Sequence, residues 1–434
     1  MKAAEIRDII RSELRPAIGC TEPAAVALAV ASARKHVPGT VESVKVIVDP
    51  NVYKNGAGVY VPGSGMTGLP IAAALGAVAG KPTLSLEVLR DVEPADVELA
   101  KRLIAEGRVS VCVDRALHGL HIEATVVAGG HGARAIISGS HTNLTRIEVD
   151  GRAVSAGAED DDSGAGACAS GRALKGLGLT ALIETIIASA DDLWNFLVPL
   201  AEANLSVAGE GLSGAQGLGL GANLQRLVAR AQLGDDLVNA CMIPTAAAAD
   251  ARMFGARLPV ISTNGSGNQG LAVSIPVIVA ARRLSGGEAR LPKALAIAQL
   301  TAIYVKQYIG KLSALCACAV ASAAGSALGI TYLLGCGIPE MEAAGKLVMA
   351  NLTGMICDGA KLGCSLKLAS SSAVSAQSAL LAAAGMNISA DNGIVGRDLE
   401  ETIANIGRVS DPGMVETDDV ILSIVEEKLD HHGC

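Results

Sequence analysis

The stretch AGAEDDDSGAGA, residues 156–167, sets four consecutive acidic residues among Gly, Ala and Ser. It has no side chain able to fill a core and no apolar period, so it reads as a solvated linker rather than a metal site. The patterns on its two sides differ, and that difference decides the fold class.

Upstream, from Val41 to Val154, run VESVKVIV, TLSLEV, VSVCVD, HIEATVV, ARAIIS and RIEVDGRAV. They are short, β-branched and alternating, with Gly, Pro and Asp between them, as strands require. Helical patterns lie before and among them, over residues 2–14 and in the Ala-rich run after Thr21. Residues 1–155 are therefore expected to form an α/β (α+β) domain. Downstream, LTALIETIIASADDLWNFLVPLAEA, PKALAIAQLTAIYVKQYIG, PEMEAAGKLVMANLTGMI and DLEETIANIG carry helical periodicity. Residues 168–434 are expected to form a mostly α-helical domain.

Composition narrows the function classes. The 434 residues are half hydrophobic but only 2% aromatic, with 50 glycines, which suits helices packed closely through small side chains. A formal charge of −8 and the lack of any Lys/Arg run argue against a nucleic-acid partner. MKAAEIRDIIRSELRP is an amphipathic helix and no signal peptide. The uncharged run from Leu312 to Pro339 is dominated by small residues without an aromatic belt, which argues against a membrane span. A cytoplasmic protein with reduced thiols and a small-molecule ligand is expected, with a homodimer as the candidate assembly. A non-catalytic small-molecule-binding or membrane protein is the alternative from another class.

Several motifs could carry chemistry. GCTEPAAVALA, Gly19–Ala29, puts Cys20 beside Thr21, an N-cap type, with Pro23 in the first turn. A helix N-terminus lowers a thiol pKa, so Cys20 could serve as base or nucleophile, or be an inert buried cysteine. VYKNGAGVYVPGSGMTG reads as two Gly-rich turns about a short strand and offers Lys54 and Asn55; SHTN offers His141, Thr142 and Asn143. NGSGNQG, residues 264–270, contains a literal GxGxxG, but no βαβ alternation surrounds it, which speaks against a dinucleotide. Its backbone N–H groups and Asn268 suit a small anion such as a carboxylate, and plain tight packing fits as well. LCACAVAS and MICDGAKLGC place Cys316 or Cys318, Cys357 and Cys364 in apolar surroundings, unlike zinc knuckles. Such thiols suit an iron–sulfur cluster or inert burial.

GCTEPAAVALA, YKNG with the following VPG, SHTN, NGSGNQG, LCACAVAS and ICDGAKLGC occur in this order over nearly the whole chain. Together they resemble the family of the L-cysteine desulfidases and the related uncharacterised UPF0597 proteins. That family is similar in its C-terminal half to the α-domain of iron–sulfur L-serine dehydratases. The resemblance implies a [4Fe–4S] cluster held by three cysteines and a lyase that converts L-cysteine to pyruvate, ammonia and hydrogen sulfide without pyridoxal phosphate. L-serine dehydratase is the nearest alternative, and a pyridoxal-phosphate lyase using Lys54 or Lys361 is a further one. By motif, Cys357 and Cys364 match two ligands and Cys316 the third, with Cys318 in reserve. Cys20 matches the catalytic base. Lys54, Asn55, His141, Asn143, Asn268 and Lys361 are the candidate substrate-binding residues, and Cys434 in the terminal DHHGC is a candidate cap for the open iron.

Overall fold

The computed structural model describes residues 1–117, 119–156, 174, 177–310 and 313–429. Residues 157–167 of the acidic stretch lie outside the described residues. The chain is mixed α/β, with a mostly helical C-terminal region.

The amphipathic opening forms helix Ala3–Glu13 and leads into strand β1, Leu14–Ile18. Ile6, Ile10 and Leu14 do not join the sheet that follows; they pack into the core of the helical region. The chain crosses over at Gly19–Cys20 and enters helix Thr21–Arg34, which is buried from Thr21 to Ala33. Strands β2 (Val41–Val48), β3 (Val109–Val113), β4 (His121–Ala128), β5 (His131–Ser138), β6 (Leu144–Val149) and β7 (Arg152–Ala156) follow, and that helix lies on β2, β4, β5 and β6.

These six make one sheet in the order β3-β2-β4-β5-β6-β7, with β2 and β3 parallel and the other pairs antiparallel. Alternation sets the face: Val44, Val46, Ile122, Ala124, Val126, Ala133, Ala135 and Ile137 are buried beneath the helices Thr21–Arg34 and Leu69–Ala79. The other face carries charge, with Arg134 bound to Glu123 at 2.6 Å and to Glu148 at 3.3 Å.

Two expected elements differ. TLSLEV is a 3₁₀ segment, Pro82–Glu87, not a strand: Pro82 opens it, and Ser85 turns through a φ of 52°, which breaks the extended path. Lys54 and Asn55 lie in the last turn of helix Pro50–Gly56 rather than in a Gly-rich turn. Asp49 starts that helix by accepting from the amides of Asn51 and Val52 at 2.9 and 3.2 Å.

The helical region is built around helix Ala317–Leu333, packed against helices Gly267–Arg283, Gly287–Ile309, Ile338–Leu352 and Cys364–Ala383. Small residues make this possible. A Cβ on Gly325 would stand 2.3 Å from the carbonyl oxygen of Ala298, so the two backbones touch where that side chain is missing. Strand β8, Pro259–Thr263, interrupts the helices and pairs antiparallel with β1, Leu14 opposite Thr263 and Ile18 opposite Pro259. The antiparallel register sets the turn after β8 beside Glu13, whose carbonyl accepts from Asn264 N at 3.2 Å. It sets the GCTEP motif beside the start of β8, where Arg252 of the preceding helix reaches Gly19 O. Among the described residues, no helix is long and apolar enough to cross a membrane.

Candidate functional site

The N-cap of helix Thr21–Arg34 is Cys20 itself, one residue before the Thr21 that its type suggests. Its thiol donates to Glu22 Oε2 at 2.9 Å, and Thr21 Oγ1 donates to the same oxygen at 3.0 Å. Glu22 Oε1 accepts from Asn55 Nδ2 at 3.2 Å and faces His141 Nε2 at 3.8 Å, an ion-pair distance too long for a hydrogen bond. Burial raises the Glu22 carboxyl, but His141 and the Cys20 thiol overcome it and hold it down to about 2. Cys20 moves the other way. Burial, then the Glu22 charge, push its thiol well above the usual cysteine range, against a weaker pull from Arg252. The lowering expected from the helix N-terminus is thus overturned, because burial and, after it, the Glu22 charge beside the sulfur outweigh it.

NGSGNQG is a strand–turn–helix. Asn264 takes a left-handed φ of 50°, Thr263 and Ser266 exchange backbone hydrogen bonds, and Ser266 Oγ caps helix Gly267–Arg283 by accepting from Gln269 N at 3.3 Å. The strand before it pairs only with β1, so no βαβ unit forms. His141 packs over Gly265 of this turn, which joins SHTN to it. Asn268 Oδ1 accepts from Arg252 Nη1 at 2.7 Å, and Arg252 Nη2 donates to Gly19 O at 2.8 Å. Asn143 stands apart: its Nδ2 donates to Ser138 O at 3.1 Å and fastens the β5–β6 turn.

The thiols come together through a bridge between two loops. Leu315 pairs with Ile356, and Cys316 N donates to Met355 O at 2.8 Å, so Cys316 and Cys357 meet. Their side chains hydrogen-bond, which holds Cys357 down to about 6 and pushes Cys316 up. Cys364 opens helix Cys364–Ala383, 3.7 Å from Gly359 O, and its charge is felt by Cys316. Burial raises its thiol. Cys318 turns toward the NGSGNQG side, where its sulfur lies 3.0 Å from Ser266 Oγ. Cys20 and Cys364 pack into one small apolar cluster with Val59 and Met253, so the two halves of the site face each other.

Cations surround the thiols. Lys306 is buried, and its pKa is lowered by that burial against the attraction of Cys318, Cys357 and Cys316. Lys54, 3% exposed, is paired with Asp418 of helix Val415–Leu429. Lys361 folds back onto Asp358, which it shares with Lys367. Among the described residues, no three His, Cys, Asp or Glu side chains could hold a single metal ion. Cys434 lies outside the described residues. A shallow cleft lined by Ile18, Cys20, Pro23, Val61, Leu86 and Arg90 reaches Cys20 from the 3₁₀ segment side.

Glu22, Arg252 and Lys306 were not among the expected site residues. Each is a charge in an otherwise apolar helical run, GCTEPAAVALA, AAAADARM and LTAIYVKQY. A charge at a core position of an apolar helix, alone at Glu22 and Lys306 and beside Asp250 at Arg252, is the signal that could have found them.

The family model described as serine dehydratase alpha chain matches residues 83–423. A UPF0597 protein of Desulfatibacillum aliphaticivorans is 39% identical over 433 residues, covering 98% of this chain and 99% of its own. One from Oleidesulfovibrio alaskensis is 41% identical over 421 residues, 97% of each chain. One from Bacteroides fragilis is 39% identical over 436 residues, 99% of this chain and 98% of its own.

Proposed function

Because the chain belongs to the serine dehydratase alpha chain family, we propose that it is an iron–sulfur lyase that eliminates the β-substituent of a small amino acid. The first substrate is L-cysteine, giving pyruvate, ammonia and hydrogen sulfide. L-serine, giving pyruvate and ammonia, is the second, favoured by the family's own description.

What carries this assignment is the meeting of Cys316 and Cys357 through the Leu315–Ile356 bridge, with Cys364 beside them and Cys20 opposite. The donor set fits a [4Fe–4S] cluster: three thiols, one already lowered, with Lys306, Lys54 and Lys367 as balancing charge. Cys316, Cys357 and Cys364 would hold it. Cys318, turned to Ser266, is left on the substrate side. When bound, the cluster supplies an open iron that acts as a Lewis acid on the leaving group.

The remaining work falls to the chain. Cys20 is the base for the α-proton, and it must first lose the proton it donates to Glu22. His141 Nε2, buried without a hydrogen-bond partner among the described residues and facing Glu22, is placed to take that proton. The Cys20 thiolate then stands beside the Glu22 charge, which together with burial makes it a strong base for the α-proton, and His141 lies on the far side of that carboxylate. Asn55 fixes Glu22 in place.

The test is anaerobic purification and reconstitution, assay of iron and acid-labile sulfide, then pyruvate and sulfide release from L-cysteine against pyruvate and ammonia release from L-serine. Iron with turnover of L-cysteine is the expected result. No iron after reconstitution, or a loaded protein inert toward both amino acids, overturns the assignment.

A further inference from the structure

Arg252 is 4% exposed, and no carboxylate among the described residues pairs with it. A buried guanidinium without a counter-charge is costly, so its position calls for an anion. Its two terminal nitrogens are already used on neutral oxygens, those of Asn268 and Gly19. Its Nε–H has no hydrogen-bond partner among the described residues. Asn268 is in a similar state: its Nδ2 reaches only the thioether of Met253, a weak acceptor, at 3.5 Å.

The Gly-rich turn explains how the guanidinium is held. A Cβ on Gly267 would stand 2.4 Å from Arg252 Nε, 2.6 Å from Cζ and 2.8 Å from Nη2. The guanidinium therefore lies against Gly267, in space that any other residue would fill. Both unsatisfied donors sit at the N-terminus of the 17-residue helix Gly267–Arg283, where the backbone adds its own positive end.

We propose that Arg252 Nε and Asn268 Nδ2, seated on Gly267, form the binding site for the α-carboxylate of the amino-acid substrate. The assignment rests on the lyase function proposed above and deepens it. Arg252 is hydrogen-bonded to Gly19 O, one residue from Cys20, so an amino acid held there by its carboxylate presents its α-carbon toward the Cys20 thiol. Cys318, bound to Ser266 of the same turn, is near enough to feel the charges of both Arg252 and Cys357.

Binding of L-alanine and of L-alaninamide to the full-length, anaerobically reconstituted chain tests this by calorimetry, because neither has a β-leaving group and so neither turns over. The wild type is expected to favour L-alanine by at least about tenfold, a ratio that falls below about threefold in Arg252→Gln and is partly kept in Arg252→Lys. Gly267→Ala, which leaves both donors chemically intact but displaces the guanidinium, should lower the ratio too. Equal binding of the two ligands by the wild type overturns the proposal, as does an unchanged ratio in a folded Arg252→Gln. Should that variant not fold, the wild-type and Gly267→Ala ratios decide. Selectivity for L-alanine in a protein that eliminates nothing from L-cysteine or L-serine would keep the carboxylate seat and discard the lyase.

Discussion

Glu22 stands between the Cys20 thiol, 2.9 Å from Oε2, and His141, 3.8 Å from Oε1, and is only 6% exposed. Burial alone would raise its carboxyl; its neighbours lower it from 4.5 to about 2. A carboxylate depressed on folding contributes stability above its unfolded pKa and loses it as pH falls through the folded one. The window is therefore pH 4.5 to about 2, and the contribution at neutral pH is on the order of 3 kcal/mol. Glu22→Gln should lose about that much at pH 7 and flatten the acid limb. Denaturant titrations across pH, followed by Trp194, the single tryptophan, check it; an unchanged acid limb would count against the Glu22 charge.

Cys316 and Cys318 are two residues apart and point to different neighbours, one to Cys357 and the other to Ser266. Serine at Cys316, Cys357 or Cys364 should each lower iron and labile sulfide after reconstitution by at least about tenfold. Cys318→Ser should keep the iron and its visible absorbance, and keep the hydrogen bond to Ser266. Loss of iron in Cys318→Ser with retention in Cys316→Ser would exchange their roles.

Five of the strand runs were legible because β2 to β7 alternate apolar and polar residues with period two, and one face is covered. TLSLEV alternates as well, but Pro82 and the Ser85 backbone make it a 3₁₀ segment, and local pattern does not register that. The placement of Ile6 and Ile10 in the helical core was not legible either, since it depends on β1 pairing with β8 across more than 240 residues. In the site, motif order brought out Cys20, Asn55, His141 and Asn268, whereas Asn143 is spent on its own turn. Arg252 and Lys306 escaped because they lie in helical runs with no motif around them. Their meaning comes only from what the fold packs against them.

Lys54 is buried and paired with Asp418, which is itself about a quarter exposed. Asp418→Asn leaves the ammonium without its counter-charge and should cost about 2 kcal/mol, less than a fully buried pair because water reaches the acid. Replacing both, as Lys54→Met with Asp418→Leu, should recover much of that loss, because no charge is then stranded. A double-mutant cycle by urea denaturation measures the coupling. A coupling near zero would mean that the C-terminal helix is not held to the site through this pair.

Gly325 is a case of composition acting as structure. Helix Ala317–Leu333 passes so close to helix Gly287–Ile309 that a Cβ at Gly325 would sit 2.3 Å from Ala298 O, and it would also stand 3.2 Å from Val273 Cγ2 of helix Gly267–Arg283. The first of these is backbone in the middle of a helix and cannot rotate away. Gly325→Ala ordinarily gains helix propensity, about 1 kcal/mol, but here the two helices must separate and the gain is lost to overpacking of about 1–3 kcal/mol. Net destabilisation, read as a lower thermal midpoint, is the expected outcome. Because Cys316 caps the same helix, the separation should also disturb the thiols, so iron retention should fall along with the midpoint. A Gly325→Ala protein as stable as the wild type would show that the helices pack less closely than this contact requires.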